Sequence, residues 1–143
     1  MRVPTTLMLV ALAATSMAQG PSAYQGWQEG SALNGSFDPS RVFVFTGRVI
    51  GIDVSAPRPD VAPGVAVLIR LGDGRSALVE LGPQAYLREQ GLMPRMGDEI
   101  DFAGAKLWDG HGSSYLASRM RRGKSEARLR TVEGRPLWVA SAE

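Results

Sequence analysis

"LVELGPQAYLREQGLMPRMGDEIDF", residues 78–102, decides the fold. "LVEL" carries the apolar and polar alternation of a strand, and Gly82 and Pro83 stop it. Proline is tolerated in the first turn of a helix, so "QAYLREQ" predicts about two helical turns, closed by Gly91 as a C-terminal cap. Gly97 and Asp98 then make a turn into a further strand, "EIDF". A β-rich chain with one helix inserted at this point needs a fold in which that helix has work to do.

Reading outward supplies the rest of the order. Upstream, "VAVLIRL" and "SALVEL" are strands joined by "GDGR", where Asp73 and Gly74 form the pair that favours a two-residue type I′ turn. Before them, "SAPRPDVAPG" (residues 55–64) has three prolines and reads as a loop. "FDPSRVFVFTGRVIGIDV" (residues 37–54) is dense in β-branched and aromatic residues and predicts a long first strand bent at Gly47 and Gly51. Downstream, "DGHGSS" is a turn, "YLASRMRR" a fifth strand, and "EARLRTV" an extra C-terminal strand after "GKS". Three strands, one helix, two strands and a last strand make an all-β protein with one short helix: an OB-fold-like five-stranded Greek-key barrel plus an extra C-terminal strand. The helix plugs one end of the barrel, and Tyr86 and Leu87 are placed to enter its core.

"FDPSRVFVFTGRV", "LGPQAYL", "MGDEIDFAG" and "RLRTVEGRPLW" together resemble a family of small exported bacterial proteins with a magnetosome-type (MamS/MamX-like) OB-fold domain. The likeness spans about residues 37–138. It implies the fold and export, and little chemistry. Some magnetosome relatives carry haem-attachment motifs; this chain has no cysteine, which rules out covalent haem of that type.

The N-terminus sets the compartment. Arg2, the apolar run "LMLVALAA" (residues 7–14) and "TSMA" (residues 15–18) read as a secretory signal with cleavage before Gln19. The run is shorter than the roughly 18 residues of a membrane span, so no span is expected after cleavage, with an uncleaved anchor as the alternative because the segment before the run carries one positive charge. Residues 19–36, rich in Gly, Ser, Gln and Ala, read as a flexible leader; Tyr24, Trp27 and Leu33 could pack back on the domain or form a docking segment, with a solvated linker the preferred reading. The domain is then residues 37–139, followed by a tail at 140–143, with the folded part in the periplasm or secreted.

Composition excludes more chemistry than it proposes. Without cysteine there is no thiol catalysis and no thiolate metal site. His111 is the single histidine and sits in a tight turn, so neither a catalytic triad nor a multi-histidine metal site can be assembled. Asp98, Glu99 and Asp101 surround a turn, with Asp98 reading as a turn residue and the others as facing solvent. Sixteen basic against fourteen acidic residues is too even for a polyanion-binding protein. The outward positions of the second and third strands, Ala66, Leu68, Arg70, Leu78 and Glu80, carry no aromatic platform, so nucleic acid is not expected. Met93, Met96 and Met120 raise copper(I), with core packing as the plainer reading. No metal and no cofactor is assigned.

The last hairpin holds the candidate site. A turn at Gly123 and Lys124 sets Arg121 opposite Glu126 and Arg119 opposite Arg128, with Met120, Ala127 and Leu129 on the other face. Strict alternation then gathers Arg119, Arg121, Arg128 and Arg130 on one side, either as a solvated face screened by carboxylates or as an anion site. The resulting expectation is an exported, non-enzymatic binding or adaptor module whose partner is an envelope protein or an anionic ligand. The alternatives are a binder of an anionic ligand or oligosaccharide using the basic hairpin, a copper-handling accessory protein and, last, a hydrolase. No oligomeric state is implied.

Overall fold

The computed structural model describes residues 24–28, 32–56, 59–107 and 114–138. The signal reading, His111 and the tail at 140–143 lie outside them. Six strands form one sheet: β1 (Val42–Ser55), β2 (Gly64–Leu71), β3 (Ser76–Pro83), β4 (Glu99–Lys106), β5 (Ser114–Arg122) and β6 (Ser125–Arg128). Their order is β3-β2-β1-β4-β5-β6, and a parallel β3–β5 pairing closes the first five into a barrel with β6 bonded outside the ring. That is the expected OB-fold-like architecture, reached because β1 is long enough to pair with β4 through its first half and β2 through its second.

Bending so long a strand takes two devices. The register with β2 slips between Val49 and Gly51, a bulge that turns the strand. At Gly47 a Cβ would sit 2.5 Å from the Ile69 side chain, so only glycine lets the strands approach there. The strand begins at Val42 rather than Phe37, because Asp38 caps a 3-10 turn at Pro39–Arg41 through its carboxylate and the Ser40 N–H, 3.0 Å apart.

The β2–β3 hairpin differs from expectation by one residue. The Leu71 N–H donates to Arg75 O and the Gly74 N–H to Leu71 O, which makes a three-residue loop, Gly72–Gly74, with Gly74 at φ +91°. Such loops use a glycine in the left-handed region as the third residue. Asp73 accepts from the Arg75 N–H and its Nε–H, so the aspartate holds the turn from the side instead of occupying its corner.

The helix, α2 (Gln84–Gln90), follows β3 directly, with Pro83 in extended conformation as its N-cap and Gly91 at φ 69° as its left-handed C-cap. Tyr86 and Leu87 are buried, as the plug reading requires. Inside the barrel, Val65, Val67, Ile69, Ala77, Val79 and Leu81 all point inward and join Ile100, Phe102, Met120 and Leu129 in one core.

The leader reading needs correction. Trp27 is 3% exposed and sits in that same core, its ring edge-on to Trp138 at 6.3 Å. A Cβ on Gly64 would run into its indole, so the end of the proline loop has been emptied to seat it. The Trp27 Nε1–H donates to Ala62 O and the Trp138 Nε1–H to Trp27 O, and a four-residue helix, α1 (Ala32–Gly35), presents the buried Asn34. Weak periodicity around these residues hid a docked segment: one tryptophan contributes roughly 3–5 kcal/mol when its site cannot collapse, and needs no repeating pattern to do so. The ordered domain therefore extends upstream of Phe37.

Candidate functional site

The β5–β6 register is the predicted one: Arg119 opposite Arg128, Met120 opposite Ala127, Arg121 opposite Glu126, and a two-residue turn with Gly123 at φ 62°. Met120, Ala127 and Leu129 are buried as expected. Three of the four arginines, Arg119, Arg121 and Arg128, are exposed on the outer face. Arg130 is not.

Two irregularities in neighbouring strands explain the departure. The β4–β5 register slips between Ala103 and Gly104, which leaves Ser118 as an extra residue in β5. The Ser118 carbonyl then accepts from both the Leu129 and the Arg130 N–H groups, at 2.8 and 3.1 Å, so β6 stops at Arg128 and alternation fails one residue later. Arg130 turns inward to 3% exposure. Its Nε–H donates to Asn34 Oδ1 (3.1 Å) and Nη1 to the carbonyls of Leu81 (2.9 Å) and Ala117 (2.5 Å), while the guanidinium lies over the Trp138 ring, 4.9 Å from its centroid. Burial pushes its pKa down to about 9, opposed by the charge of Glu80. Burial likewise raises Glu80, with Asp53 adding to the shift and Arg130 opposing it. Arg130 is thus a clamp joining β3, β5, α1 and the C-terminal segment.

The exposed arginines differ among themselves. Arg121 Nη2 lies 2.7 Å from Asp101 Oδ2, and Asp101 also accepts from the Thr46 hydroxyl at 2.7 Å. Those two partners, hydroxyl first, hold the Asp101 carboxyl below its ordinary pKa. Arg128 has a loose ion pair with Glu126 at 3.7 Å. Among the described residues, Arg119 makes no ion pair or hydrogen bond through its guanidinium. Arg122, which sequence reasoning left unassigned, donates to Asp98 Oδ2 (2.8 Å) and Met93 O (3.0 Å) and pins the entry to β4.

Arg119 and Arg128 stand at the edge of a cleft of about 400 Å³. Its walls come from the segment before the 3-10 turn and the start of β1 (Phe37, Val42), the bulged middle of β4 and β5 (Ala103, Ser118), and the C-terminal segment (Val132, Leu137). That segment folds back through a hairpin from Thr131 to Arg135, whose Gly134 at φ +99° leaves room for the Phe37 ring. A second hollow of about 350 Å³ opens on the other side of Arg119, over Val44, Thr46 and Asp101. The small Ala103 between Val44 and Arg119 in the cross-strand row leaves the outer sheet concave there.

Of the methionines raised for copper, Met120 is wholly buried in the core while Met96 is 63% exposed. Among the described residues no group of three or more His, Asp or Glu side chains is arranged to hold a metal, and no helix is long and apolar enough to cross a membrane. Asp98 and Asp101, the carboxylates at the turn into β4, are committed to arginines.

No curated protein and no solved structure is significantly similar to the chain. A family model does match, over residues 41–127, which takes in all of β1 to β5 and nearly all of β6. With the barrel, its plugging helix and the outer arginine row in place, the chain belongs to the MamS/MamX magnetosome protein family.

Proposed function

We propose that this protein is an exported, non-enzymatic binding module of the bacterial envelope that takes an anionic ligand, or an anionic group on a partner protein, at the Arg119–Arg128 cleft. The observation that carries the reading is the direct cross-strand pairing of Arg119 with Arg128 at the cleft edge. Like charges placed opposite each other on a sheet repel, and guanidinium forks match carboxylate and phosphate oxygens. An anion between them relieves the first and satisfies the second. The signal-like pattern of Arg2, the apolar run at residues 7–14 and the small residues at 15–18 supports the envelope location. A single histidine, the absence of cysteine from the sequence and the pairing of Asp98 and Asp101 with arginines support a role without catalysis.

The test is capture by the immobilised full chain of a sulfated polysaccharide and of envelope extract, for wild type and for R119Q/R128Q. Capture lost in the double variant, and weakened as salt shortens the screening length to about 10 Å at 0.1 M, supports the cleft. Capture indifferent to both salt and substitution overturns it. Mass spectrometry of the periplasmic fraction checks export separately, with a chain beginning at Gln19 expected and retained Met1 contradicting it.

A further inference from the structure

We infer that the ligand of this cleft is a single-chain amphiphilic anion, with its carboxylate or phosphate head between Arg119 and Arg128 and its apolar chain along Phe37, Val42 and Leu137. The inference rests on the reading that the cleft binds an anion, and narrows it to one chemistry.

The charge is a spot rather than a track. In the row next to Arg119 and Arg128, Asp101, Arg121 and Glu126 alternate in sign, and Arg121 is already held by Asp101 at 2.7 Å. Glu133 lines the cleft as well; Arg130 also borders it, but it is 3% exposed and its guanidinium is bonded to Asn34, Leu81 and Ala117 in the interior. A polyanion needs successive cations along its backbone, and this surface offers two side by side, bounded by carboxylates. Two adjacent forks suit one small head group.

Beyond the head, the surface turns apolar. Phe37, Val42, Ala103, Val132 and Leu137 line the cleft, and Val132 is 81% exposed and Val42 38%. Exposed aliphatic side chains at the edge of a concave site, next to Arg119 without an ion pair among the described residues and Arg128 with only a 3.7 Å one to Glu126, match a ligand that is charged at one end and oily along the rest. A volume near 400 Å³ is at the small end of ligand sites, which are roughly 300–1,000 Å³, and fits one chain rather than a two-chain lipid. The free amphiphile is therefore the occupant, not a bilayer surface.

Calorimetric titration of the full chain with decanoate below its micelle concentration tests this, alongside hexanoate, decanol, inorganic phosphate and phosphatidylglycerol vesicles. Decanoate is expected to bind one to one, and affinity to rise from hexanoate by about fourfold for each methylene buried. R119Q/R128Q should weaken decanoate by at least about tenfold, as loss of a charge-assisted hydrogen bond does, while V132S should shrink the gain per methylene and leave the head-group dependence intact. Decanol binding as tightly as decanoate, phosphate binding as tightly as decanoate, or capture by vesicles without binding of the free acid each overturns the inference. Sulfated polysaccharide captured through Arg119 and Arg128 with no decanoate binding removes the amphiphile and leaves the anion site standing. No anion responding to R119Q/R128Q removes both.

Discussion

Arg128 and Arg130 lie two positions apart and strict alternation would put them on the same face, yet one stands in water beside an open cleft and the other is sealed against Trp138. The cleft side is made of side chains with unspent capacity: a cross-strand pair of arginines, exposed valines and a concavity over Ala103. On the interior side the capacity is largely spent, since Trp27, Asn34, Arg130 and Trp138 are tied by hydrogen bonds to carbonyls or to one another. Residue type does not separate the two regions. Backbone does, because the bulge at Ser118 decides which arginine is solvated and which is a clamp.

The largest effect should come from breaking the clamp. Arg130→Ala removes a donor from the Leu81 and Ala117 carbonyls and from Asn34 Oδ1 and opens a hole under Trp138. Unsatisfied buried acceptors cost about 1–3 kcal/mol, so the loss should reach roughly 2–4 kcal/mol in urea unfolding. A change as small as that of a surface arginine, about 0.5 kcal/mol or less, would put Arg130 back on the outer face.

A smaller effect sharpens how firmly the N-terminal segment joins the interior side. The Tyr24 hydroxyl donates to Glu89 Oε1 of α2 at 2.9 Å, and its ring meets Tyr86 edge-on at 6.5 Å. Burial first, then that hydrogen bond and the Glu89 charge, push the Tyr24 pKa up to about 12. A raised folded pKa favours the protonated phenol, so the contribution to stability is fully present below the unfolded value near 10 and is lost as pH climbs towards 12. The difference between tyrosinate titrations of wild type and Tyr24→Phe should therefore have its midpoint near 12. A midpoint near 10 would detach Tyr24 from α2.

Most of the architecture was legible because regular strands advertise themselves. Inward positions from Val65 to Leu81, the β5–β6 register and the proline-started helix follow from period and turn chemistry, which are local. What stayed hidden was non-local or irregular. The inward turn of Arg130 depends on one carbonyl accepting two N–H groups from the next strand, and no residue type marks such a bulge in advance. Trp27 is a single large anchor in a run of small residues, and its site exists only because Gly64, Ala62 and Trp138 converge from other parts of the chain. Arg119 and Arg128 were found because they lie before the bulge takes effect, where counting still works. The cleft beside them was not, since Phe37, Val42 and Leu137 come together only when the chain's end folds back on its beginning.

The smallest effect bears on the cleft itself. If Arg119 and Arg128 are unspent, replacing both with glutamine should leave stability within about 0.5 kcal/mol of wild type, because exposed charges contribute little. The sign should be a slight gain, since a like-charge pair directly across two strands is relieved, while the ion pair that Arg128 gives up with Glu126 is long at 3.7 Å and solvated. Added salt distinguishes relief of repulsion from any other cause: it screens the wild-type pair, so the advantage of R119Q/R128Q should shrink as ionic strength rises. Urea midpoints of the two proteins at low and high salt read both numbers. A loss of more than about 1 kcal/mol at either salt would mean that these arginines hold the fold together as Arg130 does, and the contrast between an open region and a closed one would fail at its open end.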